Sequence, residues 1–129
     1  MRLWHESLLP YLPRQQLLGQ HRECCALRGL GWGKPHSVVN YVFEHPLEWL
    51  WAYHMKVMGE MSRRGYTPNQ NWKSPFYRGS SSEPKNEVPY FGEALAKLSQ
   101  DVLVYPEHND QYLQECLDNL RGKGIEVSL

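Results

Sequence analysis

The chain has 129 residues, with 14 Lys/Arg against 14 Asp/Glu, 41% apolar residues, five Trp and eight Tyr. Its length suits one domain able to bury a real core, and its zero net charge is not the composition of an obvious nucleic-acid binder. No apolar run approaches a membrane span, and three Cys, two of them adjacent, make no disulfide framework, so a reducing cytoplasm is expected; the sequence does not give the oligomeric state, for which a monomer is favoured.

The start, MRLWHESLLPYLPRQ, lacks the long apolar region of a signal peptide. Pro13 suits the first position of a helix, and residues 14–28 carry Leu17, Leu18, His21, Cys24, Cys25 and Leu27 near helical spacing. GLGWGKP, residues 29–35, ends that helix; its glycine spacing is too short for a phosphate-cradling loop, and Lys34 is followed by Pro35 instead of Ser or Thr. Residues 37–43 predict a short helix with Ser37 as N-cap. Glu44-His45-Pro46 opens the clearest element, with Leu47, Leu50, Trp51, His54, Met58 and Met61 on one stripe and Gly65 after Arg63 and Arg64 as its stop.

Residues 66–90 change character. Four prolines and the run GSSS give a long polar connector, and Trp72, Phe76 and Tyr77 alternate with Lys73 and Arg78. Those aromatics either pin the connector to the body or stack nucleobases. A helix is expected over 92–98, and a last one after His108-Asn109-Asp110, with Tyr112, Leu113, Cys116, Leu117 and Leu120 on one face and Gly122 and Gly124 at its end. The class is all-α.

Charge is divided along the chain. Residues 1–73 hold nine Lys/Arg against five Asp/Glu, and residues 74–129 reverse the numbers, so a neutral molecule can still carry one basic face. An α-amine titrates near neutrality, with a reference pKa of about 7.7–8.0, and can attack an electrophilic sugar carbon to form an imine. It needs a carboxylate to manage protons and cations to hold phosphates. Glu23 on the first helix, with Arg2 and Arg22, offers these groups beside the low bulk of Gly19 and Ala26. The six His and three Cys raise a second chemistry, a metal-dependent hydrolase. His21 has helical spacing to Cys24 or Cys25, with His36, His54 or Cys116 as distant partners, but no CxxC or HExxH supports it.

MRLW, RQQLLGQHRE, KPHSVVNYVF around His36, and FEHPLEWLWAYHMKVMGEMSRRGY stand in an order and spacing that resembles the pyrimidine-dimer DNA glycosylases of the endonuclease V type. The resemblance covers roughly residues 1–70 of one helical domain, 1–129, leaving 71–90 as connector and 91–129 as C-terminal helices. It implies a compact all-α fold that threads the N-terminal segment between helices. It also implies a DNA glycosylase and abasic-site lyase on damaged double-stranded DNA, pyrimidine dimers among its lesions, with no metal and no organic cofactor. By the resemblance the nucleophile is the α-amine of Met1 and the catalytic carboxylate is Glu23. Arg2, Gln15, His21, Arg22 and His36 fall at DNA-binding positions. Several features depart from the pattern: Arg2 is bulky, so Met1 is expected to be retained, which shifts the start by one residue against Glu23; Ala26 replaces a basic residue for which Arg28 is the nearest substitute; and the acidic C-terminal half does not resemble the family's aromatic–basic tail. The alternative is a non-catalytic helical nucleic-acid or protein-binding module that keeps the fold.

Overall fold

The computed structural model describes residues 2–29 and 39–129; Met1 and the segment with His36 and Ser37, together with most of GLGWGKP, lie outside them. Among the described residues the chain is helical and contains no strand. An extended start leads into a 3-10 helix, Glu6–Tyr11. Then come α1 (Arg14–Arg28), α2 (Tyr41–Glu44) and α3 (Leu47–Arg63), a 3-10 turn at Gln70–Lys73, α4 (Phe91–Ser99) and α5 (Asp110–Gly122). The expected helix over 37–43 is present as α2, shifted so that it runs to Glu44 and stops at extended His45, the residue before Pro46.

α3 is the centre of the fold. Leu50, Ala52, Tyr53, His54 and Val57 are fully buried, because α1, α4 and the first 3-10 helix pack around it. Each such Leu contributes about 1.5–3 kcal/mol by leaving water. One cluster of buried side chains extends from Leu3 through Leu17, Leu27 and α3 to Ala94, Cys116 and Leu120.

Helix ends are fixed by hydrogen bonds that the sequence signals. After α3, Gly65 takes φ +92, Gly65 N–H donates to the Ser62 carbonyl and Tyr66 N–H to the Met61 carbonyl, which is a Schellman ending. α5 begins with the Asn109 side chain accepting the Tyr112 N–H at 2.9 Å. It ends in the same way as α3: Gly124 has φ +80, and Ile125 N–H reaches the Leu120 carbonyl at 3.0 Å. That ending fixes Lys123 at the tip of α5.

The connector is pinned to the body. Arg28 is buried and donates to the carbonyls of Trp72 (2.8 Å) and Ser74 (2.9 Å), with its guanidinium 5.0 Å over the Trp72 ring. Arg78 answers by donating to the Arg28 and Gly29 carbonyls at the end of α1. Gly29 is required there for space, since a Cβ would stand 2.9 Å from the Arg78 carbonyl oxygen.

Candidate active site

Among the described residues no strand lies beside residues 2–6, and side chains from three helices and one loop take their backbone groups. Gln20 of α1 donates through Nε2 to the Arg2 carbonyl (3.0 Å) and accepts the Trp4 N–H on Oε1 (2.7 Å). The Tyr53 hydroxyl of α3 lies 2.6 Å from the Trp4 carbonyl and 2.9 Å from Gln20 Oε1, its one proton serving both acceptors. On α5, the Tyr112 hydroxyl donates to the Leu3 carbonyl and Cys116 Sγ accepts the His5 N–H at 3.5 Å. His108, just before α5, accepts the Glu6 N–H on Nδ1 at 3.3 Å. Burial holds Tyr53 well above the ordinary phenol range and pushes Tyr112 up to about 12, so both remain donors at neutral pH.

The threaded segment forms one wall of a cavity of about 410 Å³ lined by Arg2, Trp4, Gln16, Gly19, Gln20, Glu23, Asn119 and Lys123. Gln16, Gly19, Gln20 and Glu23 are spaced i, i+3, i+4, i+7, so one face of α1 supplies the second wall. The tip of α5 supplies the third with Asn119 and Lys123. Gly19 leaves the middle of the α1 wall bare. A Cβ at Gly19 would stand 3.7 Å from an Arg22 terminal nitrogen, which sets the exposed Arg22 guanidinium beside the cavity. Arg2 lies over the Tyr112 ring at 5.7 Å. The cavity thus gathers one carboxylate, two lining cations and a third at its edge, together with three side-chain amides and an indole. Such a set can hold an anionic chain and serve a proton transfer beside it.

Of the residues the sequence singles out, Arg2 and Glu23 meet in this cavity and Arg22 stands at its edge. Gln15 is exposed on α1, one position from Gln16. His21 does not reach the cavity: it is two residues from Glu23, which on a helix is about 200° around the axis. Its Nδ1 instead sits 2.8 Å from Nε2 of His54. Arg28 does not replace the cation missing at Ala26, because its donors are committed to the connector and to His54. Sequence reading missed Trp4, Gln16, Gln20, Asn119 and Lys123. Gln16, Gln20 and Asn119 look like solvated helix residues, and Lys123 lies in an acidic half of the chain about 100 residues away. The helical register of Gln16 and Gln20 with Glu23 is the one signal that was available.

No curated protein and no solved structure matches the chain. A family model does match: the pyrimidine dimer DNA glycosylase model covers residues 1–74, which include the threaded segment, the α1 wall with Glu23 and all of α3. With more than half of its length in that match, the chain belongs to the pyrimidine dimer DNA glycosylase family.

Proposed function

We propose that this protein is a DNA-repair glycosylase and abasic-site lyase that uses the α-amine of Met1 as nucleophile and Glu23 as catalytic carboxylate. The observation that carries this reading is the shared cavity of Glu23 and Arg2, the residue to which Met1 is bonded. The neutral amine attacks C1′ of the damaged nucleotide, the C1′–N bond to the base breaks, and the base leaves with a proton. Glu23 accepts a proton from the amine and returns it to O4′, so that the C1′–O4′ bond opens as the positive imine forms on C1′, where the carboxylate stabilises its charge. Loss of a C2′ proton then expels the 3′ phosphate by β-elimination and breaks the strand. Arg2, Arg22 and Lys123 hold the phosphates on either side of the reacting sugar. The cavity volume falls within the range of about 300–1,000 Å³ in which proteins bind small ligands, consistent with extrusion of a nucleotide from the duplex. Pyrimidine dimers are the lesion we assign, from the description of the family.

Borohydride trapping on duplex DNA with an abasic site, followed by peptide mapping, tests this reading. A reduced adduct on Met1 is expected. Glu23→Gln should abolish strand cleavage and leave folding and DNA binding intact. Cleavage at an unchanged rate in Glu23→Gln, or protein with a free Met1 amine that gives no adduct, overturns the assignment and leaves a helical binding module.

A further inference from the structure

We propose that His21, Cys25 and His54 form a site for one divalent transition-metal ion of the zinc class, which clips α1 to α3 on the side of α1 turned away from the cavity. One ligand atom from each residue lies within 4.8 Å of the other two. His21 Nδ1 is 2.8 Å from His54 Nε2, and Cys25 Sγ is 4.0 Å from each of those nitrogens. A tetrahedral zinc centre needs about 3.3 Å between two nitrogen ligands and about 3.5 Å between nitrogen and sulfur. Adjustments of about 0.5 Å along each side, within reach of small ring and χ1 rotations, convert the observed triangle into that one. His21 and Cys25 are one helical turn apart, and His54 faces them from α3. His54 is buried whereas His21 and Cys25 are half-exposed, so an ion can arrive from solvent and keep a water as fourth ligand.

The donor set selects the ion. Two imidazoles and a thiolate suit zinc and its neighbours and disfavour magnesium or calcium. The proton positions follow from Arg28, which has only donors. Its guanidinium is 2.8 Å from His54 Nδ1, so that nitrogen accepts, His54 Nε2 carries the hydrogen and gives it to His21 Nδ1. Binding of the ion releases the Cys25 thiol proton to solvent and moves the His54 proton from Nε2 to Nδ1. Arg28 then gives up its bond to His54 and keeps the Trp72 and Ser74 carbonyls it already holds. One proton is lost for each ion bound.

Cobalt(II) titration of the untagged full chain tests the site through absorbance, independently of any DNA chemistry. One equivalent should raise a near-ultraviolet thiolate-to-cobalt band and the visible bands of a four-coordinate centre, and zinc should displace it. Cys25→Ser should remove the thiolate band, and His21→Asn should weaken binding at least about tenfold, in protein whose melting shows it folded. Cys24→Ala, which alters a buried thiol outside the set, should keep both signals. No thiolate band at an excess of cobalt, or a band that persists in Cys25→Ser, overturns the proposal.

Discussion

Gln20 and Trp4 are joined by a 2.7 Å hydrogen bond from the Trp4 N–H to Gln20 Oε1, while the other end of the same amide holds the Arg2 carbonyl at 3.0 Å. One side chain thus supplies the pair of bonds that a neighbouring strand would offer to alternate residues. Gln20 is 1% exposed, so in the intact fold its amide and not water serves these groups. Gln20→Ala strands the Trp4 N–H and the Arg2 carbonyl and should cost about 2–4 kcal/mol. Denaturant titration reads that loss. Under the proposed mechanism single-turnover cleavage should fall by more than DNA affinity, since the segment next to the proposed nucleophile is no longer held.

Gly19 separates stability from chemistry at one position. Gly19→Ala places its Cβ at an ordinary 3.7 Å from Arg22 and should stabilise the protein by about 0.5–1 kcal/mol through helix propensity. Gly19→Leu gains a similar propensity term but projects a large side chain into the cavity. Its melting temperature should hold while cleavage drops by about two orders of magnitude or more. Equal activities in the two variants would show that the reacting nucleotide does not use this wall.

Lys123 should behave as a phosphate contact. Lys123→Ala is expected to reduce the slope of log K against log salt by about 0.9 and to weaken binding to all duplexes alike, with little change in cleavage once DNA is saturating. Lys97 is the control. It lies 4.0 Å over the Trp49 ring and does not line the cavity, so Lys97→Ala should leave the salt slope as it was.

His108 links stability to pH. Its pKa is lowered to about 3, first by burial and then by the neighbouring His5, whose own pKa is also lowered by burial. Its Nδ1 accepts the Glu6 N–H, its Nε2 faces the Tyr41 hydroxyl at 2.8 Å, and the rings of Tyr53, Tyr105 and Tyr112 close around it. A histidine with a folded pKa below its unfolded value of about 6.5 gives its full stability above pH 6.5 and loses it as pH falls toward the folded value. The unfolded chain binds the extra proton in that window, so stability should fall by about 1.4 kcal/mol per pH unit for this group between pH 6 and about pH 3. His108→Asn keeps an acceptor near the Glu6 N–H and cannot titrate. Melting curves across that window should be flatter by the same slope.

Local chemistry was legible in this sequence, and remote partnership was not. The stripes of α1, α3 and α5, the Asn109 cap and the glycines that end α3 and α5 follow from spacing and side-chain type. Glu23 and Arg2 line one cavity, a juxtaposition that no local spacing shows. Gln20 could not be told from a solvated helix residue, because its burial depends on where residues 2–4 lie. Arg28 reads as the nearest substitute for the cation missing at Ala26, yet the connector offers it a set of backbone carbonyls that no local pattern announces. The connector aromatics were ambiguous in sequence; Trp72 packs against Arg28, His54 and Tyr77, which is the pinned arrangement.

The threading of residues 3–6 has a consequence for biosynthesis. Their partners Tyr112, Cys116 and His108 stand 109, 111 and 102 residues away. Synthesis runs from the N-terminal to the C-terminal end, so residues 3–6 are made well before α5 and find their resting place only after it has been made. Until then Glu23 has its helix but not its opposite wall, and a nascent chain carries the parts of the cavity without the enclosure. The enclosure arrives with α5, so under the proposed function a chain that stops short of it cannot cut DNA.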